Sequence, residues 1–83
     1  MYQVLFSDKA KKQIEKLPKK IQEIMLNKIY SIRHDPTRYL KKLEGSNLWR
    51  LRIMDYRAII NVIITERNLI VLTIDKRSRV YDR

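Results

Sequence analysis

The chain contains no cysteine, one histidine, one glycine and two prolines among its 83 residues. Without thiols it can form no disulfide, no zinc–thiolate site and no cysteine nucleophile. The single histidine, His34, leaves too few ligands for a transition-metal site, so we expect neither a metal ion nor a cofactor. Since Gly45 is the sole glycine, few positions can act as flexible linkers.

Long apolar runs are also missing. No stretch approaches the roughly 20 apolar residues that a membrane-spanning helix needs. Residues 1–6 lack both the basic start and the extended apolar segment of a signal peptide. We therefore expect a cytoplasmic protein without a membrane partner.

Basic residues dominate the charge. Nineteen lysines and arginines stand against nine acidic residues, which gives a formal net charge of +10. A small folded domain with this imbalance repels itself, and a polyanion relieves the repulsion by exchanging its counterions for lysine and arginine. The charge therefore favours a nucleic acid or an acidic protein segment as a partner.

Hydrophobic periodicity predicts a strand and two helices in the first half of a single domain, residues 1–83. Residues 2–6 are apolar and β-prone, and Ser7 after them is suited to cap a helix. Pro18 ends this first helix and can open a second, which closes before Asp35-Pro36. The apolar stripe of the second helix consists of Ile21, Ile24, Met25, Ile29 and Ile32.

The period changes to two after a basic connector at residues 37–47. Residues 48–53, 56–64 and 69–75 each read as a strand, and their short connections predict an antiparallel meander. The fold class is therefore α+β, of order β-α-α-β-β-β. The helical hairpin is expected to pack on one face of a small, mostly antiparallel four-stranded sheet.

Strand alternation gathers basic side chains on the face that the helices leave open. Arg50 and Arg52 alternate with the apolar residues of their strand, so they share the opposite face. In the next strand the even-numbered residues are the more apolar, which directs Arg57 and Asn61 outward. We therefore expect the arginines of two strands to meet on one surface.

The last strand is expected to contribute to the same surface. Its polar residues Thr73, Asp75 and Arg77 share one parity and are predicted to face outward. The core-facing set would then be Ile70, Leu72 and Ile74. The predicted basic patch joins Arg50, Arg52, Arg57 and Arg77, with Lys76, Arg79 and Tyr81 on its flank.

An arginine cluster of this kind suits phosphate chemistry. Guanidinium groups bind phosphate through paired hydrogen bonds, and fixed positive charge stabilises the anion that forms when RNA is cut by its own 2′-hydroxyl. Tyr56 and Tyr81 can stack an unpaired base. The same residue types also have plainer uses: strand arginines can be simply solvated, Trp49 and Tyr56 can pack at the rim of a core, and His34 can cap a helix.

Three motifs resemble those of RelE/ParE toxins. Residues 42–45, Lys-Leu-Glu-Gly, are similar to the Lys-Leu-x-Gly signature of that family, residues 48–57 to its central strand pair, and residues 75–81 to its closing segment. The predicted helix at residues 7–17 and the second helix ending near Asp35-Pro36 also match the family, so the resemblance covers essentially the whole chain. The resemblance implies the toxin of a type II toxin–antitoxin system, a ribosome-dependent endoribonuclease acting on messenger RNA. It also implies an acidic RelB-like antitoxin as partner in a heteromeric complex.

The resemblance implies roles for individual residues. Arg57 would stabilise the scissile phosphate, Arg77 would assist the phosphate or the leaving group, and Tyr81 would orient or stack the base. Further RNA-binding residues would be Arg50, Arg52, Lys76, Arg79 and Lys42. Some relatives carry lysine where Arg50 and Arg52 stand, and arginine cannot act as a base. Tyr81, Lys76 or water is then the candidate proton acceptor.

Two other functions stay open from the sequence. A ParE-like inhibitor of DNA gyrase would use the same fold without cutting RNA, but such members commonly lack the set Arg57, Arg77 and Tyr81. A non-enzymatic basic domain would only hold phosphates. The presence of all three residues favours RNA cleavage. The antitoxin is expected to neutralise part of the arginine patch or to pack against the helical hairpin.

Overall fold

The strand that opens the chain pairs with the strand furthest from it in sequence. A computed structural model of the chain describes residues 1–76, in which β1 (Gln3–Phe6) runs parallel to β5 (Asn68–Lys76). The strands β3 (Leu48–Ile53) and β4 (Tyr56–Ile63) complete an antiparallel meander with β5. A two-residue strand, β2 (Lys41–Lys42), pairs with β3, so the sheet order is β1-β5-β4-β3-β2.

Two long helices and one short helix connect the first two strands: α1 (Asp8–Glu15), α2 (Lys19–Ser31) and α3 (Pro36–Tyr39). The predicted cap of α1 is confirmed, because the Oγ of Ser7 accepts a hydrogen bond from the Ala10 amide at 3.0 Å. Pro18 directly precedes α2, as its restricted backbone favours. No helix of residues 1–76 is long and apolar enough to cross a membrane.

The core lies between the helices and one face of the sheet, hereafter the helix-covered face. The helices contribute Ala10, Ile14, Met25, Ile29 and Ile32. The strands contribute Leu51, Ile53, Ala58, Ile60, Leu69, Val71 and Ile74. Every buried residue among those described is apolar. The opposite side, the open face, carries the alternate residues of the same strands.

The predicted α+β fold with a helical hairpin on one sheet face is confirmed, and the predicted connector proves to be more ordered than expected. It contains α3 and the fifth strand, β2. Leu40 between them is only 7% exposed and joins the core, which fixes this segment against the sheet edge. A one-turn helix and a two-residue strand are too short to produce hydrophobic periodicity, so the sequence pattern did not reveal them.

The alternation of β5 is interrupted by a bulge. Ile59 of β4 pairs with Thr73, whereas the next residue, Ile60, pairs with Val71. Leu72 is therefore an extra residue on β5 without a partner in this register. A bulge of this kind exchanges the faces to which the residues before and after it point.

The bulge corrects the predicted core set of the last strand. Before it, Leu69 and Val71 are the fully buried residues, so the expectation that Ile70 and Leu72 face the core is wrong. After it, Ile74 is buried as predicted. Uniform alternation was the assumption that failed, and no glycine marks the bulge in the sequence.

Beyond the end of β1, helix α1 takes over the free edge of β5. The Ser7 hydroxyl donates to the Leu72 carbonyl at 2.7 Å, and the Gln13 side-chain oxygen accepts the Ile74 amide at 2.6 Å. The Gln13 amide also donates to the Thr73 hydroxyl at 3.1 Å. These bonds satisfy backbone groups that an edge strand would otherwise leave open, and they hold the end of β5 in place.

Candidate nucleic-acid interface

Three arginines come together on the open face. Arg50 and Arg52 alternate with the buried Leu51 and therefore belong to the sheet face opposite the core. Arg52 is the direct cross-strand partner of Arg57 on β4. The connection of two residues between β3 and β4, Met54 and Asp55, sets this pairing. The arginines that the sequence directed outward on these two strands thus occupy adjacent positions.

The short strand β2 decides which lysine joins them. Lys41 pairs with Arg50, and Lys42 pairs with Trp49. Because paired residues share a face, Lys41 lies on the open face with Arg50. Lys42, expected to bind RNA, has the parity of Trp49, which packs against the core. We define the cationic end of the open face by its residues Lys41, Arg50, Arg52 and Arg57.

Charge at the cationic end is only partly balanced. Arg57 lies between Arg52 on β3 and Asp75 on β5, its partners in register. Like charges directly opposite each other are unfavourable, and Asp75 offsets part of this repulsion. Among the described strand residues of this face, Asp75 is the acidic one, so the cations outnumber it. The surplus suits an anion larger than one carboxylate.

The Arg57 guanidinium holds an unused hydrogen-bond donor. Its side chain is partly buried, and within residues 1–76 its Nε is buried without a hydrogen-bond partner. Leaving a buried donor unbonded costs about 1–3 kcal/mol. A phosphate oxygen at this position would accept the bond and recover that cost. Because this nitrogen is buried, the Arg57 side chain must turn outward before an external anion can take the bond.

A cleft beside the arginines adds an aromatic ring. It is lined by Tyr39, Lys41, Arg50 and Arg52 and has a volume of about 340 Å³. That volume is within the 300–1,000 Å³ range of small-molecule sites. The Tyr39 side chain is 53% exposed. Sequence reasoning missed both Tyr39 and Lys41, since both fall in the segment read as a connector.

Away from the cationic end, the described strand residues of the open face are uncharged, and most of them are apolar. One row across the sheet consists of Leu5, Ile70, Asn61 and Leu48, each the register partner of the next. Asn61, which the sequence directed outward with the arginines, therefore shares their face but lies in this apolar row. The basic character is concentrated near the connection between β3 and β4.

The remaining predicted residues lie to the side or outside the described residues. Lys76 pairs with Tyr56 and alternates with Asp75, so it lies on the flank of the cationic end rather than within it. Tyr56 and Trp49 pack against the core, which fits the packing interpretation of both. Arg77, Arg79 and Tyr81 lie outside residues 1–76. Within that range, no three His, Asp or Glu side chains are grouped to hold a metal ion.

Comparisons with known proteins agree on one family. The family model described as the ParE toxin of the type II toxin–antitoxin system, parDE, matches residues 4–81. The archaeal RelE–RelB complex from Pyrococcus horikoshii OT3 matches with 27% identity over 94% of this chain and 97% of that chain, with a TM-score of 0.80. The isolated E. coli RelE toxin matches with 26% identity over 98% and 92%, with a TM-score of 0.82.

The RelBE2 toxin–antitoxin complex from Mycobacterium tuberculosis has the same fold as this chain. It matches with 23% identity over 92% of this chain and 98% of that chain, with a TM-score of 0.81. A search of curated protein sequences finds no match.

Proposed function

This chain belongs to the RelE/ParE family of toxins of type II toxin–antitoxin systems, and on that premise we propose that it is an endoribonuclease that cuts messenger RNA on the ribosome. In the proposed reaction the RNA 2′-hydroxyl oxygen attacks the adjacent phosphorus and the bond from phosphorus to the 5′-oxygen breaks. The products are a 2′,3′-cyclic phosphate and a 5′-hydroxyl. One proton leaves the 2′-hydroxyl and one is delivered to the 5′-oxygen, with no metal ion involved.

The observation that carries this proposal is the cationic end itself. Arg50, Arg52 and Arg57 meet on one open face, and the buried Nε of Arg57 has no hydrogen-bond partner within residues 1–76. In the proposal Arg57 binds the scissile phosphate and stabilises the charge that develops on its oxygens. Arg50, Arg52 and Lys41 bind neighbouring phosphates and fix the register of the strand.

The protons require residues other than these arginines. Arginine stays charged, so neither Arg50 nor Arg52 can accept the 2′-hydroxyl proton. The proposal assigns Arg77 to the phosphate or the leaving group and assigns Tyr81 to orienting or stacking the RNA base. Tyr81, Lys76 and water are the alternative proton acceptors. Lys76 supplies further positive charge on the flank, and Lys42 does so on the other side of β2. Arg79 is assigned to RNA binding as well and lies outside the described residues.

Adding the purified protein to translating ribosomes and mapping the new messenger ends tests the proposal. We expect cuts within translated codons, ending in a 2′,3′-cyclic phosphate. Lys20→Ala, which removes one exposed cation from α2, should leave cutting unchanged. Intact messenger after incubation with folded wild-type protein would contradict the proposal. RNA that is bound without any product would indicate a non-enzymatic basic domain instead.

A second candidate function is inhibition of DNA gyrase. The observation that favours it is the family model itself, which describes the ParE toxin of parDE. A gyrase supercoiling assay separates the two candidates. Inhibited supercoiling together with intact messenger would favour the gyrase inhibitor, and the reverse result would favour the ribonuclease.

We also propose an acidic RelB-like antitoxin as the partner. Structures of RelE with RelB are known from Pyrococcus horikoshii and Methanococcus jannaschii. In the proposal, an acidic segment of the antitoxin neutralises the cationic end. Growth arrest by the toxin should be relieved by coexpression of the neighbouring open reading frame. Crosslinks from the antitoxin that reach neither the cationic end nor the helical hairpin would contradict this arrangement.

A further inference from the structure

Tyr39 presents an aromatic ring at the edge of the cationic end. It is 53% exposed and lines one cleft with Lys41, Arg50 and Arg52. A single exposed aromatic side chain is ordinary on a protein surface. Its position among three cations is not, because phosphate-binding side chains beside an aromatic ring are the combination that binds single-stranded nucleic acid.

The backbone holds Tyr39 in a fixed position. Pro36 at the start of α3 is buried, and Leu40 directly after Tyr39 is 7% exposed. The Leu40 amide donates to the Pro36 carbonyl at 3.1 Å, which closes the single helical turn. The chain then enters β2, where Lys41 pairs with Arg50. Tyr39 is therefore placed relative to Arg50 by buried anchors and strand pairing rather than by a loose loop.

A second tyrosine on the same protein provides a comparison. The guanidinium carbon of Arg38 lies 5.8 Å from the centre of the Tyr39 ring, and that of Arg33 lies 5.3 Å from the Tyr30 ring. Tyr30 is 39% exposed on α2 and does not line the cationic cleft. The two tyrosines thus share exposure and an adjacent arginine and differ in what surrounds them. Of these two tyrosines, Tyr39 is the one that shares a cleft with several cations of the open face.

We propose that Tyr39 is a stacking platform for an unpaired base of the RNA substrate. The base belongs to a nucleotide near the phosphate bound at Arg57. Lys41 and Arg50 bind the backbone phosphates that neighbour the Arg57-bound phosphate. Tyr39 binds the substrate and takes no part in bond making. The inference rests on the proposed function for the identity of the nucleic acid, but its test measures stacking rather than cleavage.

A short single-stranded RNA containing 2-aminopurine tests the platform, because stacking on an aromatic ring quenches the fluorescence of this base. We expect wild-type protein to quench it and Tyr39→Ala to lose most of the quenching and to bind about 5- to 150-fold more weakly, the effect of losing one stacked base. Tyr39→Phe and Tyr39→Trp should retain both properties, since they keep an aromatic face.

Tyr30→Ala is the matched control and should bind and quench like the wild type. On translating ribosomes, Tyr39→Ala should raise KM for cutting and change kcat little. Thermal unfolding of Tyr39→Ala should match that of the wild type, since the side chain is half exposed.

The outcomes separate this inference from the proposed function. Equal quenching by Tyr39→Ala and wild-type protein would overturn the platform, as would a wild-type protein that does not bind the RNA at low salt. Quenching that depends on Tyr39 together with uncut messenger on ribosomes would overturn the ribonuclease proposal and support the platform as an RNA-binding device.

Discussion

The two faces of the sheet are made from the same strands and follow opposite rules. On the helix-covered face, Leu51, Ala58 and Ile60 are at most 2% exposed and belong to a core whose buried residues are all apolar among those described. On the open face, Arg52 and Arg57 are the chain neighbours of these buried residues, and Asp75 is the cross-strand partner of Arg57. Buried apolar residues and charged residues thus alternate along these strands. Substitutions one position apart should therefore have separable effects.

The largest expected effect is on the helix-covered face. Ile60→Ala empties a fully buried position in the middle of β4, and such changes cost about 2–5 kcal/mol of unfolding free energy. Ile59→Ala alters the next residue, which is only partly buried on the open face, and should cost clearly less. Chemical denaturation measures both. Equal losses of unfolding free energy would mean that Ile59 and Ile60 are equally buried, which would contradict the difference between the two faces.

Arg57→Ala should produce the opposite pattern. Removing a donor aimed at developing negative charge should lower the single-turnover rate of messenger cutting by about 10²–10³-fold. The unfolding free energy should stay level or rise, because the variant no longer buries an unbonded donor. Arg57→Lys keeps the charge and should recover only part of the rate. Unchanged cutting by folded Arg57→Ala would refute the role proposed for this residue.

The attachment of α1 to the edge of β5 is tested by Ser7→Ala. The substitution removes both the cap of α1 and the bond to Leu72, so a loss of about 1–2 kcal/mol is expected. Ser31→Ala, at an exposed position on α2, should lose less. Thermal melts of the two variants give the comparison. A stronger effect of Ser31→Ala would show that α1 is not fastened to β5 in the way described.

The smallest expected effect is a change in the salt dependence of RNA binding when a cation of the open face is removed. Each phosphate contact to single-stranded nucleic acid contributes about −0.7 to the slope of log affinity against log salt concentration. Arg50→Ala should therefore reduce the slope by about that amount. Lys20→Ala lowers the net charge equally but lies away from the open face, and it should leave the slope unchanged. Identical slopes for both variants would point to general attraction by net charge.

The faces of β3 and β4 were predictable because their alternation is unbroken. Leu51 and Ile53 are buried and Arg52 is exposed, as the period of two requires. A two-residue connection left one register for Arg52 and Arg57, so their meeting followed from the sequence. The capping of α1 by Ser7 followed from local chemistry.

The parts that escaped prediction depend on partners distant in sequence. The extra residue at Leu72 is stabilised by Ser7, 65 positions away, and no local signal marks it. Lys41 and Lys42 are chemically alike, and only the pairing of β2 with β3 gives them different faces. The sequence likewise did not single out Tyr39, because it shares a cleft with Arg50 only through the pairing of β2 with β3.

The parallel pairing of β1 with β5 has a consequence for the order of events during synthesis. Since β5 lies between β1 and β4, β1 has no partner strand in the sheet until residues 68–76 have been made. β1 can pair only after β5 has been synthesised, so the sheet cannot be completed early in synthesis. Pairing between strands this far apart in sequence is also slow. The activity proposed above would therefore be acquired only after residues 68–76 have left the exit tunnel.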